Sequence, residues 1–118
     1  MFVAVLARRL KPGKTYEDFL DAWYPDKGFG FSGRGPLLAR NLADENEILA
    51  IAFVDLPDRP SLQEAMERVA GQESVRHDRI AEVIEETTIR GIYEVTDEFD
   101  FATDDTVARG RPAVVQRP

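Results

Sequence analysis

Several kinds of chemistry are excluded by residues that the sequence lacks. The 118-residue chain has no cysteine and a single histidine. Disulfides, thiolate catalysis, iron–sulfur clusters and multi-histidine metal sites are therefore excluded. No apolar run approaches the roughly 20 residues that a membrane-spanning helix needs. We therefore expect no metal ion, no cofactor and no membrane partner.

The charge balance excludes another class of partner. Lysine and arginine number 15 against 22 acidic residues, which gives a formal net charge of −7 at pH 7. This charge would repel a phosphate backbone, and the arginines form no basic stripe, so nucleic acid is not an expected partner. The chain begins with an apolar run followed by arginines, the reverse of a secretory signal, which predicts a cytoplasmic protein.

The strongest strand signal is ILAIAFVD at residues 48–55, which is apolar at both odd and even positions. Such a strand needs cover on both faces. Residues 2–9 also divide into two apolar alternating sets, and we predict further strands at 36–42 and 87–95. The short polar segment 43–46 predicts a hairpin between the strand at residues 36–42 and the strand at residues 48–55.

Two helices are predicted from capping residues and apolar spacing. Thr15 and Asp18 begin the first helix, whose apolar stripe is Tyr16, Phe19, Leu20 and Trp23. Ser61 and Glu64 form the capping box of the second, whose stripe is Leu62, Ala65, Met66 and Val69. Gly71 is expected to interrupt or kink this helix. The pattern resumes in a new phase with His77, Ile80, Ala81 and Ile84.

The glycine-rich segment 26–35 permits two functional interpretations. Gly28, Gly30 and Gly33 match the letters of a dinucleotide-binding motif, but that motif follows a strand and opens a helix, whereas this one does the reverse. A flexible connection is the preferred interpretation. A lid that places Phe29 and Phe31 over a ligand pocket is the alternative.

The predicted order β-α-β-β-α-β indicates an α+β, ferredoxin-like domain over residues 1–96, with both helices on one face of a four-stranded antiparallel sheet. The other face would expose several apolar side chains, so we expect a second copy of the chain to cover it as a homodimer. Residues 97–118 are predicted to be an arm on the sheet edge or the partner subunit. The acidic side chains at 97–105 are interpreted as a solvated surface, since they lack the spacing of a calcium loop.

The stretches FVAVLA, ILAIAFVD, SLQEAMERVA, ESVRHDRIAEVIEE and IYEV carry a family resemblance over about residues 2–95. In pattern and length the chain resembles the dimeric α+β barrel superfamily, and within it the antibiotic-biosynthesis-monooxygenase-like group. The resemblance implies two sheets packed face to face. It also implies one of several activities: cofactor-independent oxygenation of phenolic substrates, haem degradation, lactone isomerisation, or no catalysis.

Haem degradation fits the residues poorly. His77 on the second helix matches the position of the iron-ligating histidine in that branch of the superfamily. However, that branch also has a strand asparagine and a tryptophan that faces the haem. In this sequence the first strand has no asparagine, and the sole tryptophan, Trp23, lies on the first helix. Cofactor-independent oxygenation or isomerisation of an aromatic or otherwise hydrophobic metabolite is therefore the preferred activity.

Such a reaction needs a base and a group that holds the substrate anion. We assign His77 as the base, Arg40 as the anion partner and Tyr93 as a further catalytic candidate. Trp23, Phe29 and Phe31 are the candidate ligand-binding residues. The alternatives are a histidine hydrogen-bonded to a neighbour, an arginine paired at the rim, and an aromatic stripe that only packs the core. If these side chains have only such structural roles, the protein is a non-catalytic ligand-binding or assembly module.

Overall fold

The computed structural model describes residues 1–106, 108 and 109. Its elements are β1 (Phe2–Leu10), α1 (Tyr16–Trp23), β2 (Gly33–Asn41), β3 (Asp44–Val54), α2 (Arg59–Ala81) and β4 (Ile84–Glu94). The strands form one sheet in the order β2-β3-β1-β4, and every neighbouring pair is antiparallel. The predicted α+β class and the element order β-α-β-β-α-β are confirmed. They are compatible with a ferredoxin-like fold.

Both helices pack on the same face of the sheet. In β1 that face carries Phe2, Ala4, Leu6, Arg8 and Leu10, and the strand register places the even-numbered residues of β3 beside them. Leu10 and Ile48 form the buried core with Phe19 of α1 and Ile80 of α2. We call this side of the sheet the helix face.

The opposite face of the sheet is also apolar and carries no helix among the described residues. Its side chains come from three neighbouring strands, because the register aligns Val3 with Phe53 and Tyr93, and Val5 with Ile51. Ile89 and Tyr93 are 48% and 54% exposed there. We call this surface, made of Val3, Val5, Leu49, Ile51, Phe53, Ile89 and Tyr93, the open face.

The start of α1 is as predicted, but the start of α2 is not. Thr15 and Asp18 form a reciprocal capping box at α1. In α2 the capping side chain belongs to Asp58, which accepts a hydrogen bond from the amide of Ser61 at 2.8 Å. The helix therefore begins one turn earlier than Ser61, because Pro60 fits the first turn, where its missing N–H is not needed.

The helix also passes through Gly71 without the expected interruption, so α2 is one helix of 23 residues. A glycine costs a helix only about 1 kcal/mol relative to alanine. Val69 and Ile80, which are buried on either side of it, offset that cost.

The last strand begins earlier than the sequence pattern suggested. Helix α2 ends at Ala81, and Ile84 opens β4 opposite Leu10 instead of continuing the helical stripe. Val83 is buried between the two elements, and its carbonyl accepts a hydrogen bond from Lys11. This contact draws the chain into the sheet three residues before the predicted strand start at residue 87.

The predicted arm at 97–118 is described only in part. Phe99 and Phe101 stack with their ring centroids 5.5 Å apart, and both rings are exposed. Residues 107 and 110–118 lie outside the described residues. The path of the arm along the sheet edge or the partner subunit therefore stays a prediction.

Candidate functional site

A cavity of about 820 Å³ lies between the helix face of the sheet and α2. Its sheet wall is made of small or apolar side chains, and α2 supplies an apolar stripe opposite. The apolar lining includes Ala4, Leu6, Ala50, Ala52, Ile92, Leu62, Met66 and Val69. A volume of this size is typical of sites for drug-sized ligands.

The connection between α1 and β2 forms one side of the cavity. Phe29 and Phe31 line it and stack on each other with ring centroids 6.0 Å apart. The amide of Gln72 on α2 donates a hydrogen bond to the carbonyl of Lys27, which ties the connection to the helix. Phe29 also lies under the Arg76 guanidinium, 5.6 Å from its ring centroid. The segment is therefore anchored against α2 at two points.

One end of the cavity is polar and is built from three residues of α2. Arg76 binds the Glu73 carboxylate through two hydrogen bonds of 2.9 and 3.0 Å and donates a third, of 2.7 Å, to the carbonyl of Trp23. The third bond satisfies a carbonyl at the carboxyl end of α1. The fixed Glu73 carboxylate then lies 3.3 Å from Nε2 of His77. Arg76 thus holds the acid that faces the only histidine.

His77 is about one-third exposed, and its ring lines the cavity. Partial burial lowers the pKa of His77 from its ordinary value, and Glu73 opposes this shift. Arg8, Arg76 and Arg90 lower it further through their positive charges. The imidazole is therefore neutral at pH 7. Nε2 is the ring nitrogen that faces the Glu73 carboxylate, and a hydrogen on this nitrogen would leave Nδ1 as the basic one.

Two more arginines lie near this polar end. Arg8 on the helix face of β1 is only 3% exposed, and its guanidinium lies 6.0 Å from the Phe19 ring centroid. Burial, reinforced by the charges of Arg76 and Arg90, lowers the pKa of Arg8 to about 10, so the side chain is still protonated at neutral pH. Arg90 of β4, opposite Leu6 in the sheet, lines the cavity directly.

The structure brings together four of the six candidate site residues. His77, Trp23, Phe29 and Phe31 all line the cavity. The other two, Arg40 and Tyr93, are absent from its lining. Arg40 lies over the Tyr16 ring at 4.6 Å, and Tyr93 lies on the open face. The anion-partner role assigned to Arg40 therefore fits Arg76 and Arg90 better.

Arg8 and Arg76 were missed in the sequence, although both carry a positional signal. Arg8 continues the alternating set Phe2, Ala4 and Leu6 that faces the helices. Arg76 lies seven residues after Val69 and four before Ile80, so it shares their buried helix face. In each case a charged residue occupies a position that the apolar periodicity of its strand or helix predicts to be buried.

No group of three or more histidine or acidic side chains within the described part of the chain is placed to hold a metal ion. None of the described helices combines the length and the apolarity needed to cross a membrane. Comparison with known proteins adds no assignment: no protein-family model, no curated protein and no solved structure matches this chain.

Proposed function

We propose that this protein is a homodimeric small-molecule-binding protein whose cavity holds an aromatic or otherwise hydrophobic metabolite. The observation that carries the proposal is the cavity of about 820 Å³, which is apolar along its walls and polar at one end. Apolar walls with a few convergent polar groups are the usual construction of a ligand site. Stacked Phe29 and Phe31 add an aromatic surface for a flat ligand.

The polar end supports proton transfer as the chemistry of the site. Neutral His77 can take a proton from a phenolic O–H or from a carbon next to a carbonyl group, and Glu73 stabilises the imidazolium that forms. Return of the proton to another atom of the same substrate completes an isomerisation. Loss of the proton from a phenol gives the electron-rich anion that reacts with oxygen in cofactor-independent monooxygenation. Both reactions agree with the family that the sequence resembles.

Association through the open face is part of the proposal. Burial of an apolar side chain contributes roughly 1.5 to 3 kcal/mol, and the open face presents seven such side chains on three adjacent strands. A second copy of the chain, packed sheet to sheet, would bury them and leave both cavities accessible on the outer, helical sides.

Ligand binding is tested with N-phenyl-1-naphthylamine, a neutral aromatic dye that fluoresces when it enters an apolar site. We expect saturable binding of about one dye per cavity. Ala52 lies on the cavity wall, so Ala52→Phe should fill part of the space and weaken binding by about tenfold, or about 1.4 kcal/mol. Ala70→Phe, at an exposed position of α2 outside the lining, is the matched control. Absence of saturable binding, or equal binding by both variants, would contradict the proposal.

Catalysis is tested separately with His77→Ala. A thermal-shift screen of aromatic and lactone compounds on the wild-type protein supplies substrates to assay. The variant should keep its affinity for the dye and lose turnover by about 100-fold, the usual minimum for loss of a general base. Undiminished turnover in His77→Ala would exclude the base role and leave a ligand-binding module.

A further inference from the structure

The polar end of the cavity carries an excess of positive charge. Three guanidinium groups meet there, those of Arg8, Arg76 and Arg90, because the charges of the other two each act on Arg8. Glu73 is the only carboxylate found to act on Arg8 or on His77 in the described structure. With His77 neutral, three positive charges against one negative charge leave an excess of two. This local excess lies in a protein whose net charge is −7.

The three arginines differ in how their donors are used. Arg76 uses three of its five N–H donors, two to Glu73 and one to the Trp23 carbonyl. Arg8 makes no hydrogen bond to any described residue, and its Nη1 atom is completely enclosed. Arg90 likewise has no hydrogen bond or ion pair within the described structure, although it lines the cavity. Two guanidinium groups with free donors therefore lie at or behind the polar end of the cavity. Arg34 also lines the cavity, but its guanidinium lies over the Phe53 ring, 4.5 Å from the ring centroid.

The unpaired guanidinium of Arg8 is buried and therefore costly, since it loses water without gaining a partner, whereas the exposed Arg90 keeps its donors in contact with solvent. The Glu73 carboxylate does not relieve this cost, because its hydrogen bonds come from Arg76 and it makes none to Arg8 or Arg90 within the described structure. An anion that enters from the cavity would supply the missing negative charge. Carboxylates and phosphates both match a guanidinium group, because two oxygens meet two N–H donors. Of the two, the singly charged carboxylate costs less to transfer from water into a cavity with apolar walls.

We propose that the ligand is an amphipathic carboxylate, whose apolar body lies along the walls of the cavity and whose carboxylate binds Arg90 at the polar end. Arg8 and Arg76 raise the local positive potential from behind the wall. This inference rests on the proposed function and narrows its ligand class. It also explains why Arg8, a charged residue, occupies a core position on the helix face.

Two compounds of the same shape test the inference by displacement of the bound dye. Naphthalene-2-carboxylate is charged at pH 7.5, and naphthalene-2-carboxamide is its neutral counterpart. We expect the carboxylate to bind about tenfold more tightly, the lower bound for a hydrogen bond to a charged group. The negative net charge of the protein would by itself favour the neutral carboxamide. A preference for the carboxylate therefore reports the positive charge of the arginines at the cavity.

Variants assign that preference to its residues. Arg90→Gln should reduce the ratio between the two affinities to a value between about one and about three. The ratio is compared within each variant, so a change in dye affinity that affects both displacement measurements equally cancels. Arg8→Met should lower the ratio in the same direction by removing a charge behind the wall. Arg68→Gln is the matched control, because it removes one positive charge from an exposed position of α2 that does not line the cavity.

The outcomes separate this inference from the proposed function. If the dye binds but both naphthalene compounds displace it equally, the carboxylate inference is wrong and the binding function stands. If Arg68→Gln lowers the ratio as much as Arg90→Gln, the preference is a property of overall charge and the inference is again wrong. Failure of the dye to bind at all contradicts the binding function itself.

Discussion

The Arg8 guanidinium lies in an unfavourable environment. It is 3% exposed, it lacks a hydrogen-bonding partner among the described residues, and it lies near two other positive charges. Among the described residues, only the Phe19 ring and the charge of Glu73 stabilise the charged form of Arg8. A residue in such a position lowers stability, and the proposed carboxylate ligand would give Arg8 a functional reason to be there.

Replacement of Arg8 by methionine is therefore expected to stabilise the free protein. The side chains have similar length, and the change removes a buried charge, so the free energy of unfolding should rise by about 1 kcal/mol or more. Urea unfolding followed by circular dichroism measures the change, with Arg68→Met as an exposed control. A loss of stability in Arg8→Met would show that Glu73 already compensates the charge.

His77 gives the free energy of unfolding a dependence on pH. Its pKa in the folded state lies below the ordinary value of 6.5, mainly because of burial. The unfolded state therefore binds more protons as the pH falls, and the contribution of the neutral imidazole is lost progressively below about pH 6.5. We expect the urea midpoint to fall between about pH 7.5 and pH 5.5, and to fall less in His77→Gln.

The two carboxylates with lowered pKa values, Asp18 and Asp58, do not account for a change in that range. The pKa values of Asp18 and Asp58 are lowered by hydrogen bonds at the two helix starts, from an ordinary value of 3.8. Their contributions are present above that pH and are lost only in stronger acid. Equal slopes for the wild type and His77→Gln would mean that burial does not shift the pKa of His77.

At the scale of the secondary-structure elements, apolar periodicity identified each helix and strand, but contacts from other elements decided where several of them end. Thr15 and Asp18 lie within four residues of each other, so local sequence was sufficient to predict the start of α1. The start of β4 depends instead on the pairing of Ile84 with Leu10, which lies far away in the chain. Apolar periodicity within a segment gives no information about a contact between residues that are distant in the chain.

The start of α2 offers a direct comparison between two competing caps. Asp58→Ala should lower the melting temperature by about 3 °C, because the amide of Ser61 loses its side-chain acceptor. Ser61→Ala should change it by less than about 1 °C, since the Ser61 hydroxyl makes no hydrogen bond within the described structure. A larger fall in melting temperature for Ser61→Ala than for Asp58→Ala would instead support the capping box at Ser61 and Glu64. Thermal unfolding followed by circular dichroism distinguishes the two.

At the scale of the whole molecule, the two faces of the sheet are covered differently. The helix face is covered by α1 and α2 near Leu10 and opens into the cavity near Ala4 and Leu6. The open face has no such cover from the described helices, and its centre is formed by Val5 and Ile51, which are directly paired. The two surfaces adjoin along β3, since Ile51 and Phe53 of the open face also belong to the lining of the cavity.

Ile51→Glu is expected to disrupt the proposed dimer. A carboxylate in the centre of an apolar interface would be buried without a partner, which disfavours association by several kcal/mol. Sedimentation equilibrium at micromolar concentration should give a dimer for the wild type and a monomer for the variant. Val75→Glu, at an exposed position of α2, is the matched control and should remain dimeric. A monomeric wild type would contradict the assembly directly.

The sequence by itself determined the element order, the apolar character of both sheet faces, and the presence of Trp23, Phe29, Phe31 and His77 as site candidates. These features depend on residue type and on spacing within single elements, which the chain displays directly. The cavity and its charge were decided only by the tertiary structure. Antiparallel pairing places Arg90 beside Leu6, and helix packing sets Arg76 and Glu73 above the same face as Arg8. These neighbours lie up to 82 positions apart, between Arg8 and Arg90, so their shared electrostatic field arises only when the chain folds.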